Sequence, residues 1–63
     1  MDSNSKIFIA GHNGLVGSAI LRNLKSNGYL NLITRSRKEL DLTDTVAVKN
    51  FFITEKPEYV FLA

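Results

Sequence analysis

A chain of 63 residues with no cysteine excludes a disulfide-stapled scaffold and a thiolate metal site, and a domain of this length buries only about 60% of the surface its unfolded form exposes, so its stability is expected to be marginal. With 44% hydrophobic and 22% charged residues the composition is that of an ordinary globular domain, and a formal charge of +2 is too small a surplus to argue for nucleic acid. No apolar run nears the roughly 20 residues that cross a bilayer, so no membrane partner is expected.

The polar start, Met1-Asp2-Ser3-Asn4-Ser5, reads as a tail ahead of a domain at residues 6–63. It lacks the basic and apolar stretches of a secretory leader, which leaves the cytoplasm as the default location. Ile7-Phe8-Ile9-Ala10 is a continuous apolar run that stops at Gly11, the pattern of a strand buried on both faces. Val16, Ile20 and Leu24 then recur at every fourth position, while Arg22, Asn23 and Lys25 take other angles. This predicts an amphipathic helix from Leu15 to about Asn27, ended by Gly28. Tyr29 to Thr34 predicts a second strand, and Glu39-Leu40-Asp41-Leu42 a short third one. Thr43 or Asp44 can cap a second helix with Val48, Phe51 and Phe52 on its apolar face, stopped by Pro57. Tyr59 to Ala63 predicts the last strand. Short buried strands alternating with helices argue for an α/β fold with a parallel sheet built from right-handed crossovers.

The chemistry concentrates between the first strand and the first helix. Gly11-His12-Asn13-Gly14-Leu15-Val16-Gly17 is a G-x-x-G-x-x-G loop in strand-to-helix context. There the first glycine allows a tight turn, the second lets backbone approach a diphosphate, and the third lets helix and sheet pack closely. Free N–H groups of the first helical turn and the positive end of the helix dipole favour an anion at that place. At the end of the second strand, where an acidic residue would select NAD, the sequence has Arg35, which can pair with a 2′-phosphate; Arg37 is a second candidate. NADP (NADPH) is the expected cofactor. Asp41 is a candidate acceptor for the adenine amino group. His12 lacks an evident orienting partner and is read as a loop side chain near the phosphates, and neither Tyr29 nor Tyr59 is followed four positions later by lysine, so both are read as packing residues.

The run from Lys6 to Ile20 resembles the start of the GDP-L-fucose synthase family of extended short-chain dehydrogenases/reductases. The likeness continues through Arg35, Glu39 to Leu42 and Glu55 to Ala63, which is nearly all of the chain beyond Ser5. The resemblance implies the N-terminal half of a Rossmann domain, with two helices and a parallel sheet in the order third, second, first, fourth strand. It implies conversion of GDP-4-keto-6-deoxy-D-mannose to GDP-L-fucose by two epimerisations and an NADPH reduction. Carried onto these positions, it implies pyrophosphate contacts in the loop at Gly11, Gly14 and Gly17, 2′-phosphate recognition at Arg35, and an adenine contact at Asp41 with Leu42 beside it. Asn13 departs from the family pattern, where many members carry an arginine that helps bind the 2′-phosphate. The family's Tyr-x-x-x-Lys pair, its other acid/base residues and its sugar-nucleotide domain would lie beyond Ala63, so the 63 residues are expected to bind cofactor without catalysing the reaction alone, whether as a fragment or an abbreviated product. The competing expectation is a non-enzymatic nucleotide-binding or assembly module that forms a homo-oligomer through its last strand.

Overall fold

The computed structural model describes residues 1–63. Three parallel strands, β1 (Ile7–Ala10), β2 (Leu32–Thr34) and β3 (Tyr59–Leu62), lie in the order β2-β1-β3. Helix α1 (Leu15–Ser26) joins β1 to β2, and α2 (Thr45–Glu55) joins β2 to β3. The first crossover moves out from β1 and the second returns across it, so right-handed connections set the two helices on opposite faces of the sheet.

That arrangement explains why β1 is apolar at every position. Phe8 and Ala10 pack with Ile33 and Leu40 beneath Ala47, Val48, Phe51 and Phe52 on the α2 side. Ile7 and Ile9 pack with Leu24, Ile20, Leu21 and Phe61 on the α1 side. All four β1 residues are between 0% and 3% exposed. The Phe8 ring is 4.6 Å from that of Phe51 and 6.1 Å from that of Phe52, separations at which tilted and edge-on aromatic pairs attract.

The helix ends follow from local chemistry. At the end of α1 the Gly28 N–H donates to the Lys25 carbonyl and the Tyr29 N–H to the Leu24 carbonyl, both at 3.1 Å, with Gly28 at φ +85°. This is the paired closure that a left-handed glycine permits. Of the two expected caps for α2, the helix uses Asp44, whose carboxylate accepts from the Ala47 N–H at 3.1 Å.

Two expected strands are corrected. The second begins at Leu32, not Tyr29, because the N–H groups of Tyr29 and Leu30 are already taken by Leu24 and by Ser3. The third, at Glu39 to Leu42, is absent from the sheet. There Glu39 Oε1 accepts from the Ser36 N–H at 2.8 Å, Ser36 Oγ accepts from the Glu39 N–H at 3.3 Å, and the Leu40 N–H donates to the Ser36 carbonyl at 2.9 Å. These bonds curl the segment into a turn and drive Leu40 into the core, where it is 7% exposed. The remaining strands keep the expected order, with the last beside the first.

The first five residues form a turn closed by Ser5, only 4% exposed, whose hydroxyl accepts from the Asp2 N–H at 3.0 Å. On the far side of the sheet β3 pairs with β1 alone, and its Val60 and Leu62 are 40% and 79% exposed. No helix is long and apolar enough to cross a membrane.

Candidate cofactor-binding site

A groove of about 260 Å³ opens at the carboxyl ends of β1 and β2, the crevice where the chain reverses its direction across a parallel sheet and where such sheets bind ligands. Phe8, Ala10 and Leu40 contribute apolar surface to it. Gly11, His12, Asn13 and Gly14 form one part of the wall; Arg35, Ser36, Arg37, Asp41, Leu42 and Thr43 form the rest. Of the ten residues expected from the sequence, seven line this groove. Leu15, Val16 and Gly17 do not; the side chains of Leu15 and Val16 are 87% and 61% exposed.

The three glycines hold their places for different reasons. Gly11 has φ +78°, and a Cβ there would stand 2.9 Å from the Ala63 carbonyl oxygen, so the turn out of β1 admits no side chain. Gly17 is buried inside the first turn of α1, where a Cβ would overlap the Gly11 carbonyl oxygen and lie 2.6 Å from the Gly11 carbonyl carbon. Gly14 is unlike both. Its φ of −80° and ψ of 171° suit any residue, and the nearest atom to an added Cβ is the Gly11 oxygen at 3.4 Å. Nothing within the chain requires a glycine there.

The same position leaves α1 uncapped. Gly14 is the N-cap, no side chain accepts from the first turn, and that turn has no acidic residue. The Gly14 N–H donates to Gly11 at 3.0 Å and the Ser18 N–H to Gly14 at 2.9 Å, while the N–H groups of Leu15, Val16 and Gly17 between them have no acceptor. Free amides at the head of a 12-residue helix make a site for an anion.

The charged rim is more differentiated than the sequence suggested. Arg35 lines the groove, but its Nη1 donates to the Thr34 carbonyl at 2.8 Å, its guanidinium stands 5.4 Å from the centre of the Phe51 ring, and its Nη2 lies 3.8 Å from Glu55. Arg37 is exposed and has no ion pair. Asp41 uses Oδ1 to accept from the Thr43 N–H at 2.9 Å and from the Thr43 hydroxyl at 2.7 Å. Those two bonds, the hydroxyl first and with a smaller contribution from Arg37, hold its carboxyl below the ordinary range.

Ser36 and Thr43 were not expected from the sequence, yet the signals were present. Ser36-Arg37-Lys38-Glu39 has the S-x-x-E spacing of a capping box, and Asp41-Leu42-Thr43 that of a side-chain-closed turn. The capping carboxylate gives a pH test. The Ser36 amide, and after it the Ser36 hydroxyl, lower the Glu39 pKa below its ordinary 4.5. A depressed carboxylate pKa contributes order that is fully present above the unfolded value and is lost as pH falls through the folded one. The Ser36 amide proton resonance is therefore expected to stay constant above about pH 5.5 and to move only on acidification below pH 4.5, with Glu39→Gln abolishing the transition. A Ser36 resonance that does not change down to acid unfolding would rule this contact out.

The strand-to-helix glycine turn, the uncapped α1 and the groove at the sheet's reversal point are the features of a partial Rossmann-like α/β fold. The chain belongs to the NAD dependent epimerase/dehydratase family, whose pattern spans residues 7–63. It is 56% identical over 63 residues to the putative GDP-L-fucose synthase 2 of Arabidopsis thaliana, covering 100% of this chain and 19% of that one. Among solved structures it is similar to DdhaC, with a TM-score of 0.98 and 62% identity over 100% of this chain and 18% of the other. It is equally similar in fold to MlghC, the GDP-mannoheptose C4 reductase of Campylobacter jejuni solved with NADP bound, at TM-score 0.98 and 54% identity over 100% of this chain and 19% of that one. The resemblance to GDP-L-fucose synthases is therefore borne out, and the chain spans about a fifth of the length of these relatives.

Proposed function

We propose that this chain is the cofactor-holding front of an NADP(H)-dependent reductase or epimerase of GDP-linked sugars, of the kind its relatives represent. The observation that carries the reading is Gly14: a glycine that neither conformation nor packing requires, at the mouth of a helix whose first amides are free. A missing Cβ there leaves room for something outside the chain to come close to the backbone, and three unpaired N–H groups suit a pyrophosphate. Gly11, His12, Asn13 and Gly14 form the cradle, and Leu15, Val16 and Gly17 contribute N–H groups where their side chains contribute nothing. Asp41 Oδ2, left over once Oδ1 is bound to Thr43, is the acceptor for the adenine amino group, with Leu42 beside it. Bound in this crevice, the nicotinamide cofactor supplies hydride.

The 2′-phosphate contact is assigned to Arg37 and not, as the sequence suggested, to Arg35. An exposed guanidinium without a partner on the rim is free to form a bidentate pair, whereas that of Arg35 is occupied by Thr34, Phe51 and Glu55. Parallel calorimetric titrations with NADPH and NADH test both parts. NADPH is expected to bind about tenfold more tightly, and Arg37→Ala to remove most of that difference while leaving NADH unaffected. No binding of either at millimolar concentration rejects the site, and equal binding of both rejects the cofactor choice.

The assembly reading is favoured by one observation, the exposed apolar residues Val60 and Leu62 on the strand with a single neighbour. Light scattering at micromolar concentration is expected to give twice the 7.0 kDa chain mass if β3 pairs with a second copy. A stable species at 7.0 kDa rejects it.

A further inference from the structure

We propose that Glu55 is a specificity-determining residue: with Phe51 it keeps the Arg35 guanidinium occupied, so that Arg37 alone reads the 2′-phosphate and Arg35 stands beside the groove as a withheld second cation. The inference rests on the cofactor reading above and extends it to a residue outside the groove.

Glu55 is the last residue of α2, where a negative charge faces the negative end of the helix dipole and is unfavourable for the helix itself. Its compensation comes from elsewhere. Oε1 lies 3.2 Å from Lys6 Nζ just before β1, and Oε2 lies 3.8 Å from Arg35 Nη2 just beyond β2. One carboxylate thus serves two cations that flank different strands, with side chains that are 27% to 33% exposed. Arg35 is held at three points, by Glu55, by the Thr34 carbonyl at 2.8 Å and by the face of Phe51 at 5.4 Å. Yet Arg35 also lines the groove. A change of side-chain rotamer, with no backbone movement, can exchange the Glu55 carboxylate for a phosphate. Which anion Arg35 meets is then decided by the charge at position 55.

Glu55→Gln removes that charge and keeps an oxygen that can accept from Lys6. The test measures the NADPH to NADH affinity ratio for the 63-residue chain and for R37A, E55Q, R37A/E55Q and R35M/R37A/E55Q, together with the Arg35 Nε–H resonance in nitrogen-15-labelled protein. R37A is expected to lower the ratio about tenfold. Adding E55Q is expected to recover about threefold, the scale set by an exposed ion pair, and R35M in the same chain to cancel that recovery. The Arg35 resonance is expected to shift on NADPH addition only when Glu55 is replaced. A double variant no better than R37A overturns the proposal, as does an R35M single substitution that abolishes the preference with Glu55 intact. Those outcomes leave the cofactor reading standing. A wild-type chain that binds the two cofactors alike overturns that reading and this proposal with it, whereas an R37A variant with an unchanged ratio overturns this proposal and the Arg37 assignment alone.

Discussion

Gly17→Ala is expected to unfold the chain. The added methyl meets the carbonyl group of Gly11 and lies 3.0 Å from the Cα of His12, all of them backbone atoms that no rotamer change can clear. Relief requires α1 to move off the carboxyl end of β1, whose residues are the most completely buried in the molecule. Overpacking that side chains can absorb costs about 1–3 kcal/mol, and a backbone clash is at the upper end or beyond. A domain this small sits near the bottom of the usual range of about 5–15 kcal/mol. Thermal melts followed by circular dichroism are therefore expected to lose the cooperative transition or to shift it down by more than 10 °C, by the scaling of roughly 4–8 °C per kcal/mol for domains of this size. A variant that melts with the wild-type chain would show that α1 and β1 are not in this contact.

Gly14→Asp, three positions earlier, is expected to do the opposite to the fold and more to the ligand. The backbone at Gly14 is ordinary, and a Cβ meets nothing closer than 3.4 Å. An aspartate at this N-cap can accept from the free N–H of Val16 or Gly17 and places a negative charge at the positive end of α1, which stabilises by a few tenths of a kcal/mol relative to glycine. The same carboxylate then fills and repels what the pyrophosphate is proposed to occupy. NADPH affinity is expected to fall about a hundredfold or more, roughly 3 kcal/mol, while the melting temperature stays level or rises. The two readouts moving in opposite directions separate loss of a binding site from loss of a fold. NADPH bound as tightly by this variant as by the wild type would sink the assignment of the α1 amides to the cofactor.

The G-x-x-G-x-x-G spacing separates these neighbouring glycines already in the sequence, into a tight turn, a diphosphate approach and helix-to-sheet packing. The atoms opposite each missing Cβ stand accordingly: Ala63 oxygen for Gly11, no close atom for Gly14, and the Gly11 carbonyl for Gly17. The arginines mark where reading residues in order stops being enough. Arg35 follows directly on the second strand, where family patterns place the 2′-phosphate contact, but Glu55 and Phe51, well along the chain on α2, occupy its guanidinium and leave Arg37 free. At Glu39 to Leu42 the misreading was local. Alternating apolar residues suggested a strand, and the S-x-x-E box beginning at Ser36 outweighed them because one hydrogen-bonded turn satisfies those backbone groups without a neighbouring strand.

By itself the sequence determined the α/β class, the buried first strand, the span of both helices to within a residue or two and the glycine loop that joins the first strand to α1. These depend on periodicity, caps and glycine positions that act over a few residues. Only the tertiary structure decided how many strands the sheet has and which arginine on the groove's rim is left without an ion pair. Those answers depend on atoms that approach across the fold from distant parts of the chain, and a close approach between such atoms is created by packing and leaves no periodic trace in the order of residues.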